Sequence, residues 1–248
     1  MKKRILSVLL AVVLLLSLLP LSFAGADGAS YYDGNTDSYL YNEPRLGIVI
    51  CRQMNVRDRA ATSGATLGQI RNGQPVKIMG TSRDGNFYAL DLESCGITNQ
   101  GAGAVGFAKA SLIKMDPEFI ATTKLTNLYA TPWTTELKNG EQTGRFFLML
   151  GQYNNWYAVQ AMETSPGTAF IRTGDVGQYS PYYAMYVVTW DSPAYDGNTW
   201  AQIAAVKRFS VGRLMNVGSD YTLLLFNEGK NNEYSAWIPN LYVAPIIN

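Results

Sequence analysis

Residues able to carry out chemistry are sparse in this chain. It contains no histidine, which removes Ser-His-Asp and Cys-His nucleophilic machinery and the ordinary zinc sites together. Its 19 Asp and Glu leave a carboxylate-pair glycosidase formally open. Those carboxylates, Asp84, Glu93, Asp175 and Asp196 among them, are scattered through turn-forming stretches instead of gathering in one segment. The expectation is therefore a chain without catalytic residues, metal site or cofactor.

Cys51 and Cys95 are the only cysteines. In an exported protein, an even pair within one small domain suggests a disulfide. It would close a loop of 44 residues, worth roughly 4 kcal/mol by loop-closure entropy. The alternative is two buried thiols. A calcium loop at Asp33-Gly34-Asn35-Thr36-Asp37 starts well, with oxygen ligands at positions one, three and five. It fails at Ser38, where glycine belongs, and at Pro44, where the bidentate glutamate belongs. The same Tyr-Asp-Gly-Asn-Thr string recurs at Tyr195 to Thr199, which favours a local turn motif.

What remains is aromatic surface: 16 Tyr, 9 Phe and 5 Trp. Strand alternation sends neighbouring side chains to opposite faces. With Leu128, Tyr157 and Val159 inward, Tyr129 and Trp156 point outward, and Trp133 and Tyr153 lie close by in sequence. The corresponding outward pairs are Arg57 with Phe87 in the first third and Trp190 with Asp220 in the last. Aromatic rings stack on sugars and peptides, so Tyr129, Trp156, Trp133, Tyr153, Arg57, Phe87 and Trp190 are the candidate ligand-binding residues. The competing expectation is that these rings pack between neighbouring units or cover small cores.

The elements that must position these rings repeat. Gly85-Asn86-Phe87-Tyr88-Ala89-Leu90, Asn154-Asn155-Trp156-Tyr157-Ala158-Val159 and Ser219-Asp220-Tyr221-Thr222-Leu223 each pass from a polar turn into an aromatic strand. Counting from Val56, Leu128 and Thr189 to Tyr88, Tyr157 and Tyr221 gives 32, 29 and 32 residues. Such steady spacing predicts a threefold repeat. Short strands between Gly-bearing turns predict an all-β chain of three tandem small barrels, at 43–116, 117–180 and 181–248. The linkers, Met115 to Glu118 and Gln178 to Pro181, are short, so the second and third units are expected to form one block with Tyr182, Tyr183 and Tyr186 at the joint.

Ahead of them, Lys2-Lys3-Arg4, the apolar run Ile5 to Leu19 and small-x-small sites at Ser22 to Ala26 predict a cleaved signal peptide over 1–26. An uncleaved anchor is the alternative. Residues 27–42, rich in Gly, Asp, Ser, Asn and Tyr, read as a flexible leader. Net charge falls from +1 to about −2 once Lys2, Lys3 and Arg4 are removed, which suggests neither nucleic acid nor an anionic membrane as partner.

Asn55-Val56-Arg57, the Gly73 to Ile78 strand, Asn86 to Leu90, Gly106-Phe107-Ala108 and Ser111-Leu112 together resemble a bacterial SH3-like (SH3b) domain. Asn127-Leu128-Tyr129 with Pro132, and Asn155 to Val159, are similar to another form of that pattern. The third unit keeps only the Tyr221 strand and Ala236-Trp237-Ile238 to Leu241. The resemblance implies small barrels acting as extracellular targeting modules, often for peptidoglycan. The expectation is a secreted, non-catalytic protein, extracellular or wall-associated, that binds peptidoglycan or another envelope component and keeps no stable membrane anchor. A scaffold or adhesin holding a partner protein is the second reading, and an unrecognised envelope hydrolase the third.

Overall fold

The computed structural model describes residues 30–101, 103–122, 125–133, 137–142, 145–161, 167–176, 180 and 183–247. The predicted signal peptide, the start of the leader, and Gln178, Tyr179, Pro181 and Tyr182 lie outside the described residues. Among the described residues there is no α-helix; strands and three short 3-10 turns account for the regular structure.

The first unit holds β1 (Ser30–Asp33), β2 (Ser38–Val49), β3 (Gln53–Arg57), β4 (Thr66–Arg71), β5 (Pro75–Ser82), β6 (Phe87–Asp91), β7 (Val105–Lys109) and β8 (Ile113–Met115). The second holds β9 (Phe119–Ala121), β10 (Thr126–Tyr129), β11 (Leu137–Gln142), β12 (Phe146–Tyr153), β13 (Trp156–Ala161) and β14 (Thr168–Arg172). The third holds β15 (Met185–Val188), β16 (Ser192–Asp196), β17 (Gln202–Val206), β18 (Val211–Val217), β19 (Tyr221–Phe226), β20 (Tyr234–Pro239) and β21 (Val243–Ile246).

These strands make two sheets. One runs β1-β2-β5-β6-β7-β3-β4, with β8 also on β2; the other runs β11-β10-β14-β13-β12-β9-β21-β15-β18-β19-β20-β16-β17. No described ladder joins the two ends of either path, so neither closes into a barrel by backbone hydrogen bonds. Within the paths one order appears three times. β2, β9 and β15 are followed by the β5-β6-β7, β12-β13-β14 and β18-β19-β20 runs, and the path ends in the β3-β4, β10-β11 or β16-β17 hairpin. A bulge falls at the same place in each copy, at Met79, Leu150 and Met215. A three-residue 3-10 turn follows the last strand of each run, β7, β14 and β20, at Ala110–Leu112, Thr173–Asp175 and Asn240–Tyr242.

Each unit has its own apolar interior. Val56, Ile70, Ile78 and Leu90 fill the first, Leu128, Phe147, Val159 and Ile171 the second, and Ala194, Leu224, Ala236 and Ile238 the third. A fourth cluster belongs to all three: Ile48, Phe119, Leu148, Val187 and Ala244 pack together, with Phe146 and Phe209 against them. Alternation explains how one strand serves two interiors. Val49 faces the first unit's core and Ile48 the shared cluster, Ile120 and Phe119 divide likewise, and so do Val188 and Val187.

The described joint between the second and third units lies in the backbone. It is a parallel bridge between Phe119 and Ile246, reinforced by the Ile247 N–H donating to the Phe119 carbonyl at 2.8 Å. Tyr183 lies 48% exposed with the Arg213 guanidinium over its ring, and Tyr186 packs against the third unit's core. The leader differs from the flexible segment expected, because residues 30–42 form β1 and the start of β2. Asp33 makes the turn, its carboxylate accepting from the Asn35 N–H at 3.1 Å and the Thr36 hydroxyl at 2.7 Å. The resulting arm pairs with β5 at Ser38–Ser82, Tyr39–Thr81 and Leu40–Gly80.

Candidate functional site

The ladders fix which residues correspond across the three units. Arg57 pairs with Phe107 and Phe107 with Ala89; Tyr129 pairs with Phe170 and Phe170 with Ala158; Tyr195 pairs with Trp237 and Trp237 with Leu223. Two residues before Ala89, Ala158 and Leu223, on the same strand face, stand Phe87, Trp156 and Tyr221. Three equivalent aromatic platforms result: Arg57, Phe87 and Phe107; Tyr129, Trp156 and Phe170; Tyr195, Tyr221 and Trp237.

This alignment corrects the frame of the third unit. Ala194, wholly buried, and not Thr189, holds the place of Leu128. The equivalents of Tyr129 and Trp156 are therefore Tyr195 and Tyr221 instead of Trp190 and Asp220. The repeated Tyr-Asp-Gly-Asn-Thr string was the signal that marks this hairpin, since it puts the β16-β17 turn immediately after Tyr195.

The third platform is the open one. Trp200 is 51% exposed and stacks on Trp237 with ring centroids 5.0 Å apart and planes 10° from parallel. Tyr221 meets Trp200 edge-on at 5.5 Å and Tyr195 at 5.6 Å. The Trp237 indole N–H donates to the Gly197 carbonyl at 3.3 Å, anchoring the inner ring. Asp196 builds the turn beneath, its Oδ1 accepting from the Asn198 and Thr199 N–H groups at 3.0 and 2.7 Å and the Thr199 hydroxyl at 2.8 Å. Those bonds hold the carboxyl below its ordinary range. Trp200 itself has φ +59°, a left-handed conformation that costs a bulky residue of order 1–3 kcal/mol and persists where surrounding structure imposes it.

The second unit shares the feature. Trp133, in the turn after β10, has φ +61° and is 68% exposed. Tyr153 is 55% exposed at the end of β12. Tyr129 and Trp156, expected to face solvent, are only 7% and 5% exposed. Their rings meet edge-to-face at 5.1 Å, and the Arg172 guanidinium sits 5.1 Å from one and 5.3 Å from the other. The alternation holds, but this face is covered.

In the first unit the platform is sealed. Phe87 is 9% and Phe107 2% exposed, packed under Leu40 from the arm and Ala60 from the β3-β4 loop. Arg57 turns its guanidinium to the Gly64 carbonyl at 2.6 Å. The arm lies so close to β5 that a Cβ on Gly80 would fall 2.2 Å from the Tyr39 carbonyl oxygen and 2.8 Å from the Leu40 Cα.

Trp190 sits elsewhere, half-buried where the first and third units meet, with Arg71 and Arg208 each against its ring at 5.7 and 5.4 Å. Cys51 and Cys95 are free thiols, so the expected bridge is not formed here. Both pack in or against the first unit's core. Burial pushes the Cys95 thiol up to about 12 and raises that of Cys51. Among the described residues no group of three or more acidic or thiol side chains could hold a metal ion, and no helix is long and apolar enough to cross a membrane.

No family model and no curated protein matches the chain. Among solved structures it is similar to NlpC2 from Trichomonas vaginalis, at 8% identity and a TM-score of 0.24, over 82% of this chain and 99% of that one. Likeness at that level assigns neither fold family nor activity. The described chain is an all-β protein built from one strand pattern used three times.

Proposed function

We propose that this chain is a secreted, non-catalytic binding protein. Of its three SH3-like units, the second and third hold a polymer of the bacterial cell envelope, peptidoglycan foremost, on aromatic surfaces. The threefold recurrence of strand order, bulge and closing 3-10 turn supports the SH3-like reading. The binding reading is carried by one observation: Trp200, half-exposed and at positive φ, lies flat on Trp237 beside Tyr195 and Tyr221. A ring held at a conformational cost in solvent serves no core, and ring faces stack on sugar rings and peptide planes. Trp133 gives the second unit a similar exposed ring, so two weak sites on one rigid body would add by avidity.

The test is retention of the mature chain on purified wall sacculi. The proposal expects enrichment over a heat-denatured control, lost when Trp133→Ala and Trp200→Ala are combined. Equal retention of the folded and denatured chains, or full retention by the double variant, would overturn it.

A further inference from the structure

Beyond the aromatic hairpins, the protein has a cleft of about 640 Å³ between the first and third units. Gln53, Arg71, Glu93 and Ser94 come from one side and Trp190 and Tyr242 from the other. Because it spans two units, it exists only while the shared cluster of Ile48, Phe119, Val187 and Ala244 holds them in register. Clefts of this size between domains are where small-ligand sites tend to form.

Its walls are fixed. Asp191 accepts from the Arg208 N–H at 2.8 Å and from Lys207 Nζ at 2.9 Å, holding that turn beside Trp190. Gln53 Nε2 donates to Gln69 Oε1, and Gln69 Nε2 to Asn55 Oδ1 at 2.9 Å, so a row of side-chain amides is locked along the hairpin face. Gln74 receives the Arg71 N–H at 3.3 Å and donates to the Cys95 carbonyl at 3.1 Å.

Its donors are not used up. No described carboxylate pairs with the Arg71 guanidinium, and neither the Trp190 indole N–H nor the Tyr242 hydroxyl has a hydrogen-bond partner among the described residues. The Arg71 guanidinium, against the Trp190 ring, stands in the cleft lining with the carboxylate of Glu93. A preset guanidinium matches a carboxylate in fork geometry. A row of amides offers both donors and acceptors to ring hydroxyls, and an indole supplies an apolar wall with one N–H.

We infer that this cleft is a second binding site, for a carboxylate-bearing sugar of an acidic glycan. The carboxylate pairs with Arg71, the hydroxyls meet the Gln53 and Gln69 amides, and the sugar ring packs beside Trp190. The inference rests on the proposed binding role only in taking the natural ligand to be a polymer. Its test uses soluble oligosaccharide, so it can succeed where wall retention fails.

In the 15N-labelled full chain, the Trp190 indole N–H resonance is followed during titration with a tetrasaccharide of alternating glucuronate and N-acetylglucosamine. Chitotetraose, uncharged and of equal length, is the control. The expected result is a saturable shift with the acidic sugar and at least tenfold weaker binding of the neutral one. Arg71→Ala weakens the acidic sugar about tenfold or more, as loss of a charge-assisted hydrogen bond requires. Arg71→Lys, which keeps stem and charge, loses less, while Trp200→Ala leaves the shift intact. An unmoved Trp190 signal, equal affinity for both sugars, or unchanged affinity in a folded Arg71 variant would each overturn the site and leave Trp190 as a spacer between units.

Discussion

The indole of Trp200 lies stacked on that of Trp237, centroids 5.0 Å apart, and the two differ in what holds them. Trp237 is tied to the sheet by β20 and by its N–H bond to the Gly197 carbonyl. Trp200 is held by the turn that Asp196 builds, in a backbone region that disfavours it. The outer ring is therefore the replaceable one.

Trp200→Gly is expected to separate stability from binding. It relieves the positive-φ cost of roughly 1–3 kcal/mol and forfeits ring stacking of about 0.5–1.5 kcal/mol, so unfolding free energy should stay within about 1 kcal/mol of the parent or rise. Retention on sacculi should fall at the same time. A urea melt beside the pull-down reads both, and a large drop in stability would show that the ring serves the fold.

Gly80→Ala should drive the arm from the first unit. The new Cβ meets backbone at 2.2 Å and 2.8 Å, which no rotamer change can relieve. The arm would have to shift and uncover Phe87 and Phe107, at a cost of about 1–3 kcal/mol. Limited proteolysis cutting between Ser30 and Tyr41 in the variant, and not in the parent, is the expected readout.

Unfolding should be one transition. The cores of the three units share strands with the cluster of Ile48, Phe119, Leu148, Val187 and Ala244, so no unit can open without exposing part of it. Phe119→Ala, made at a residue 1% exposed, should cost about 3–5 kcal/mol and lower the midpoint of the whole calorimetric peak. Three separable peaks in the parent would contradict this coupling.

Acid should loosen the turns. Asp33, Asp84, Asp191 and Asp196 accept hydrogen bonds that hold their carboxyls below the ordinary 3.8. A folded-state value below the unfolded one gives stability that is complete above the unfolded pKa and lost as pH falls through the folded one. The melting temperature should thus stay level down to about pH 5 and fall progressively below about pH 4. Asp196→Asn should shrink the fall, and an unchanged acid slope would remove the turn from the explanation.

Thiol chemistry should follow burial. With Cys95 pushed up to about 12 and 4% exposed, almost none is thiolate at neutral pH. Iodoacetamide should therefore modify Cys51 first, and Cys95 only as the chain unfolds, as read by intact mass with and without denaturant.

Much of the architecture was legible because it follows from local chemistry. Gly85, Asn154 and Ser219 sit in the turns their residue types announce, with Gly85 at φ +71° and Asn154 at +51°. The polar Asp33 and Asp196 strings make the same carboxylate-capped turn. The all-β class and the repeat in the first two units came from period and spacing alone. The third frame slipped because the sequence shows where an aromatic lies but not which buried small residue, Thr189 or Ala194, stands in for Leu128. A single-residue bulge, at Met79, Leu150 and Met215, also leaves no mark in composition.

The sequence by itself determined that this chain alternates, turns and repeats, and that it lacks histidine chemistry. Only the tertiary structure decided which alternating face sees water. Ile48 and Val49 are equally apolar in sequence, yet each serves a different interior. Phe87, Trp156 and Tyr221 occupy one position in three units, yet the first is sealed under Leu40, the second roofed by Arg172, and the third joined by an exposed Trp200. The physical reason is that pleating fixes only the relative direction of neighbouring side chains. What covers a face arrives from residues distant in the chain, and no local period encodes them.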